Sequence, residues 1–405
     1  MKKTLLWLGA LIVGALLGLA DVDGIDIVAD FVATVFVRLF QLIAVPTIVL
    51  AVTTTFATFG TRGTGRIFRH TLGYTLATTF AAAAVGGLLY VIVQPGNLPV
   101  GALADEPTPA LPMSYADHLK SIVPNNLVRP FLDGNVLSLL IIAFAVGIGL
   151  SKLPESDGKS AVVKLLGGLQ DLLFLLIRGL VWALPLGIVA FAAQLSAQVS
   201  AGVVADSIGK YVLVVLGGNV LQFFVVLPLF LLARGLNPLR VLGKMSPAVI
   251  MALFTKSSAA TLPVTMQSAE ERLGARHEVS RFVLPLCTTI NMNGCAAFIL
   301  VTSVYLLQNA GVEITGLSLI TWVLIATVSA VGNAGVPMGC YFLTLSLVSS
   351  MGVPVQLMGV ILPVYAVIDM IETCLNVWSD SCVCNIVNRE LKDQLGSAAP
   401  ATVTA

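Results

Sequence analysis

Charge is what this chain most lacks. Only 11% of its 405 residues are Asp, Glu, Lys or Arg, against 57% hydrophobic, a balance outside that of soluble domains. The scarcity excludes a largely water-exposed surface and places the chain in lipid. The net charge is +1, and no basic cluster interrupts the apolar runs, so nucleic acid is not an expected partner. Histidine is scarcer still: His70, His118 and His277 all read as loop residues. With no His beside a nucleophile and no metal-ligand cluster, the sequence offers no catalytic constellation, and an enzyme is not expected. Cysteine is missing until residue 287. Cys287, Cys295, Cys340, Cys374, Cys382 and Cys384 fall in apolar segments and read as reduced packing residues. Cys382 and Cys384 have neither the spacing nor the His partners of a zinc site.

What is present is apolar length. Stretches near 4–20, 30–58, 71–94, 132–151, 164–198, 209–233, 280–308 and 355–388 each approach or exceed the roughly 20 residues that cross a bilayer core. The first, preceded by Lys2 and Lys3, has the form of a secretory leader. A first membrane helix is the expectation, because everything after it is membrane-embedded too. Lys2 and Lys3, then Arg62, Arg66 and Arg69, then Lys152, Lys159 and Lys164, then Arg234, Arg240 and Lys244, then Arg389 and Lys392 fall on one side of such a layout. The positive-inside rule makes that side cytoplasmic, with both termini on it.

Two apolar segments are interrupted. Residues 240–272 are broken around Lys256-Ser257-Ser258, and 316–350 around Gly332 to Gly339. Non-helical backbone at membrane depth survives only where protein buries it or water reaches it, so both read as re-entrant helical hairpins. Each precedes a full span, and such an inverted repeat points to a transporter's midplane site. A simple kink is the alternative for either one alone.

The last span carries Asp369, Glu372, Thr373, Asn376 and Asp380, at helical offsets of 0, 3, 4, 7 and 11, which is one face. A carboxylate at the bilayer centre costs at least ~2.5–3.5 kcal/mol. Three on one stripe need an ammonium group, a cation, protons or neighbouring polar groups. The preceding span is interrupted by Thr289, Asn291, Met292, Asn293 and Gly294; an unwound helix there would release carbonyls to an ion, or the Asn side chains could bond between helices.

Leu42-Ile43-Ala44-Val45-Pro46, Leu262-Pro263-Val264-Thr265-Met266, Asn291-Met292, Gly332 to Pro337 and the last-span stripe together resemble the glutamate-transporter homologue family, the dicarboxylate/amino acid:cation symporters, over essentially the full length. The resemblance implies an all-α polytopic membrane protein of eight transmembrane helices and two re-entrant hairpins in inverted repeats, working as a homotrimer of elevator-type protomers. It implies scaffold spans 1–2 in 1–70, transport-domain span 3 in 71–94, and an extracellular loop with scaffold spans 4–5 in 95–205. The transport domain would occupy 206–393 (span 6, hairpin 1, span 7, hairpin 2, span 8), and a flexible tail 394–405.

Carried over residue by residue, Asp369 matches the carboxylate that holds a solute's α-amino group, and Thr373 and Asn376 match the α-carboxylate region. Ser257 and Ser258 in the first hairpin, Val336 and Gly339 in the second, and Cys295 and Cys340 beside the solute's side chain complete the implied grip. Cys287, Asn291, Asn376 and Asp380 resemble one sodium site. Thr289, Met292, Ala330, Val331 and Asn333 resemble a second.

Two departures narrow the function. Glu372 stands where carriers of acidic amino acids place an Arg, and a second carboxylate would be repelled there. The similar sodium/serine-threonine symporters share a Glu-Thr-x-Leu-Asn run, which favours a small neutral amino acid such as serine, threonine or alanine. Asn293 replaces an Asp at a third sodium site to which Tyr74 and Thr78 correspond, and Ala77 lacks the hydroxyl expected there, so two sodium ions per solute are expected. Alternatives are a cationic amino acid, a dicarboxylate or acidic amino acid, proton coupling and, more remotely, a channel or receptor. Lys256 would neutralise Glu372 or, by preference, snorkel to the cytoplasmic surface. The expected home is a prokaryotic inner membrane.

Overall fold

A computed structural model describes residues 2–20, 24–59, 65–98, 123–132, 135–198, 201–333, 338–351, 353 and 356–391. Val336, the 394–405 tail and most of the loop after the third span lie outside the described residues. Among those described, the regular structure is helical throughout, as expected where apolar surroundings oblige the backbone to bond within its own segment.

The chain runs through α1 (Lys2–Leu19), α2 (Ile25–Phe59), α3 (Gly65–Val93), a short α4 (Arg129–Leu132), α5 (Val136–Lys152) and α6 (Asp157–Gln198). It continues through α7 (Ala201–Leu221) and a π-helical turn at Gln222–Val226 into α8 (Leu227–Ala233). Then follow α9 (Pro238–Thr255), α10 (Ser258–Gln267) with a π turn at Ser268–Leu273, α11 (His277–Ile290), α12 (Asn293–Asn309), α13 (Gly316–Val331), α14 (Gly339–Ser349) and α15 (Gln356–Glu390).

Among the described residues, four helical stretches are by themselves long and apolar enough to cross a bilayer: 65–93, 157–180, 206–233 and 277–309. The other expected spans coincide with helices. The most polar of them, α15, has 35 residues, about 52 Å at 1.5 Å per residue.

Packing falls into two groups. In the first, α6 lies against α1 and α2, and α2 against α5. The closeness of α1 to α6 depends on Gly14 and Gly18, since a Cβ at either would run into the α6 backbone at Val189 or Ala193, the small-residue device of membrane helix pairs. Helix α12 forms the centre of the second group, touching α3, α7, α13, α14 and α15. Every residue from Asn293 to Leu307 is buried, which explains its lack of a polar face. Helix α14 bridges the groups by contacting α2 and α5, and α15 by contacting α1 and α6.

Both expected interruptions are present. Helix α9 ends at Lys256, which adopts a left-handed conformation (φ 54°). Ser257 then opens α10 by accepting the Ala260 N–H at 3.2 Å, an N-cap that satisfies a free donor of the first turn. Helices α9 and α10 pack side by side. Helix α13 stops at Gly332, and α14 begins after Met338, also left-handed (φ 61°). A third break lies at Asn291 and Met292, between α11 and α12.

Candidate solute and ion site

The breaks converge on the polar face of α15. Asp369, Glu372, Thr373 and Asn376 line a pocket there, joined by Met292 and Cys295 at the start of α12, Asn333 and Cys340 from the second interruption, and Lys256 and Ser258 from the first. Glu372 and Asp380 are each 1% exposed and Asp369 5%, so all three stripe carboxyls are inside the protein. The approach of α12 to α15 depends on Gly294, where a Cβ would lie 2.7 Å from Glu372 Cα. No larger residue fits without separating the helices.

Each carboxyl has its own surroundings. Asp369 shares the pocket with Lys256 and Ser258. This corrects the snorkelling expectation: Lys256 lines the pocket. Tyr365 Oη donates to Glu372 Oε2 at 3.1 Å, while Glu372 Oε1 is buried with no hydrogen-bond partner among the described residues. Asp380 Oδ1 accepts from Asn291 Nδ2 at 2.9 Å.

The remaining expected grip residues divide. Thr373 Oγ1 donates to its own helix at Asp369 O, 2.7 Å. Asn376 Oδ1 accepts the Gly294 N–H at 2.9 Å, and its Nδ2 approaches Met292 Sδ at 3.4 Å. Ser258 lines the pocket; Ser257 is the helix cap. Gly339 opens α14 beside it.

The first expected ion group is brought together by the α11–α12 break. Asn291 reaches both Ser379 Oγ and Asp380 Oδ1 at 2.9 Å, and its N–H caps α11 on Cys287 O at 2.8 Å. Of the second group, Met292 touches Asn376, while the Ala330 carbonyl accepts from Asn333 N at 3.1 Å. Val331 ends α13, and Thr289 Oγ1 bonds back to Leu286 O at 2.7 Å.

In the third group, Thr78 Oγ1 donates to the Tyr74 carbonyl at 2.9 Å and to Asn291 Oδ1 at 3.2 Å. Tyr74 Oη donates to Glu390 at 2.5 Å, in a cluster with His70 and Arg234. Asn293 Nδ2 donates to Asn291 Oδ1 at 2.9 Å and approaches Thr78 Oγ1 and Thr79 Oγ1 at 3.3 and 3.5 Å. Its Oδ1 accepts from Gln222 Nε2 at 2.6 Å. The amide of Asn293 is thus spent on protein partners.

Two further corrections concern Cys and His. Cys295 and Cys340 form a disulfide, so these two are not the reduced packing residues expected; Cys287, Cys374, Cys382 and Cys384 are free. His70 lies in the first turns of α3 and His277 opens α11, so neither is a loop residue.

Sequence reading missed Tyr365, Gln222 and Ser379. Tyr365 is four residues before Asp369 and seven before Glu372, so the helical period already put it on the stripe. Gln222 was visible as a polar residue in an apolar span. Its direction comes from the π turn that begins with it, a feature frequent at functional sites.

A buried, acid-rich pocket thus lies where broken apolar helices meet, a setting able to hold a polar solute. The model of the Sodium:dicarboxylate symporter family matches residues 4–390, and the chain belongs to that family, whose members couple solute movement to sodium. It is 30% identical to neutral amino acid transporter B(0) of Oryctolagus cuniculus over 390 residues, covering 87% of this chain and 71% of the relative. It is 31% identical to the Bos taurus protein of that name over 389 residues, with the same coverage. It is 28% identical to excitatory amino acid transporter 2 of Homo sapiens over 452 residues, covering 96% of this chain and 78% of the relative.

Proposed function

We propose that this protein is a symporter coupling sodium entry to uptake of a small neutral amino acid, of the serine, threonine or alanine kind. The observation that carries the reading is Glu372, a fully buried carboxyl in the pocket with Oε1 unpartnered among the described residues. A substrate with a side-chain carboxylate would meet a like charge where the low dielectric strengthens repulsion. A solute hydroxyl would instead supply the donor that Oε1 lacks. In this reading Asp369 takes the α-amino group, and Thr373, Asn376 and the Ser258 and Gly339 backbones take the α-carboxylate. The names of the neutral-amino-acid relatives favour the same class.

Sodium would occupy the groups around Asp380, with Asn291, Cys287 and Asn376, and around Met292, with Thr289, Ala330, Val331 and Asn333. The hydrogen bonds that consume the Asn293 amide support two ions per solute. Helices α1, α2, α5 and α6 would be the scaffold and the rest the moving part of an elevator, in a trimer of eight-span protomers with two re-entrant hairpins and cytoplasmic termini. The packing of α6 on α1 and α2, and of α2 on α5, supports that division. A cationic amino acid is the second reading, because Oε1 would also accept an ammonium group.

Thermal shift of the purified protein with each of the twenty amino acids, with and without sodium, tests the assignment, since a ligand that binds only the folded state stabilises it. Serine, threonine or alanine should raise Tm in sodium, and aspartate should not. A large aspartate shift rejects the role given to Glu372.

A further inference from the structure

The side-chain end of the pocket holds more than a solute needs. Cys295 Sγ from α12, Cys340 Sγ from α14 and a Glu372 carboxylate oxygen from α15 all lie within 4.8 Å of one another, and all three residues are buried. Three helices thus deliver two sulfurs and one oxygen to a single point. A second observation also points to a ligand. Glu372 Oε1 is buried without a hydrogen-bond partner among the described residues. Around the sulfurs, Asn333 Nδ2 lies 3.0 Å from Cys295 Sγ and 3.1 Å from Cys340 Sγ, the outer-shell donor that orients and tunes thiolate ligands.

We propose that, with the Cys295–Cys340 bond reduced, Cys295, Cys340 and Glu372 bind one thiophilic divalent cation of the zinc or cadmium kind. Two thiolates and a carboxylate are a donor set such ions favour over magnesium or calcium. Sodium, a hard ion, would stay with the oxygen-rich groups near Asp380. Two thiolates and one carboxylate carry three negative charges, of which the metal offsets two, where a neutral solute offsets none. Binding expels the two thiol protons as the metal–sulfur bonds form. The metal would occupy the place that the proposed function gives to the solute's side chain, so the two exclude one another. That exclusion rests on the proposed function; metal binding itself does not.

The site requires the dithiol. A trialkylphosphine supplies the electron pair that breaks the sulfur–sulfur bond, and water gives its oxygen to the phosphine oxide and its two hydrogens to the thiols. Cadmium is then titrated into the reduced, detergent-purified full chain while the thiolate-to-cadmium charge-transfer band is followed. A saturable band at one equivalent per chain, reversed by excess zinc, is expected.

Cys295→Ser and Cys340→Ser should each weaken binding about 100-fold or more, the upper end of what even outer-shell changes cost. Glu372→Gln should weaken it while retaining the band, because the thiolates remain. Cys382→Ser, outside the pocket, should leave the titration unchanged. If a pocket variant does not fold, the stoichiometric band of the parent protein and the Glu372→Gln affinity decide. No band in reduced protein, resistance of the pair to the phosphine, or an undiminished affinity in the folded Cys295→Ser or Cys340→Ser variants would overturn the proposal. Because binding is read directly, failure to transport neutral amino acids leaves this result standing, and the converse holds as well.

Discussion

Tyr365 Oη donates to Glu372 Oε2 at 3.1 Å across two turns of α15, satisfying one oxygen of the carboxyl and leaving the other to the pocket. A buried polar atom without a partner costs about 1–3 kcal/mol, so the arrangement holds an unmet demand where a solute would lie. Tyr365→Phe removes the one donor. Stability should fall by about 1–3 kcal/mol, and neutral-solute affinity should fall with it, because Glu372 is no longer oriented. Denaturation and ligand-induced Tm shifts measure the two effects; wild-type values in both would remove Tyr365 from the site.

Gly294 is the tightest point between α12 and α15. An added Cβ lies 2.7 Å from Glu372 Cα and 2.9 Å from its Cβ, atoms held by helix backbone and unable to swing aside. Gly294→Ala should cost about 1–3 kcal/mol through overpacking and loosen the 2.9 Å bond from Gly294 N to Asn376 Oδ1. Solute binding should weaken in the same variant. Equal thermal stability of variant and parent would show that the helices have room to separate.

Asp380 is joined to Asn291 at 2.9 Å, and the carbonyl of Cys287 lies one helical turn before Asn291. Asp380→Asn keeps the shape and removes the charge. Since ligand charge tunes cation affinity at oxygen sites, the sodium concentration giving half the maximal Tm rise should increase about tenfold or more. An unchanged sodium dependence would place the ion elsewhere.

Glu270, in the π turn after α10, lies outside the bilayer-crossing helices. The Ser280 hydroxyl, donating at 2.7 Å, is the main influence holding its carboxyl below the usual carboxylate range; burial opposes this, and Arg281 and His277 add to the lowering. The charged form is therefore favoured by folding. Its contribution is complete above the unfolded-state pKa and is lost as pH falls through the lower folded value. Tm of the parent should exceed that of Glu270→Gln at neutral pH, and the two curves should converge in acid. Parallel curves at every pH would mean that the ion pairs at this turn contribute nothing to stability.

The site was legible to different degrees for physical reasons. Asp369, Glu372, Thr373, Asn376 and Asp380 share a face because they share one uninterrupted helix, and the 3.6-residue period fixes that from spacing alone. Lys256 was harder. A lysine near a segment's end can snorkel or turn inward, and the left-handed turn at φ 54° that ends α9 directs the chain there. The partner of the Tyr74 hydroxyl was not legible, because Glu390 lies 316 residues further along the chain, at the far end of α15.

The amino-acid order by itself determined that this chain is helical, lipid-embedded and twice interrupted, because apolar length and Gly- and Pro-rich breaks act locally. It also determined the acidic stripe and the odd carboxyl at Glu372. Only the tertiary structure decided that Cys295 and Cys340, 45 residues apart in sequence, are joined. It likewise decided that Asn293 is consumed by Gln222 and its neighbours, and that Glu372 keeps one oxygen unmet. Those outcomes depend on how α12 settles between α3 and α15, a matter of helix-to-helix distance and direction that no single segment encodes.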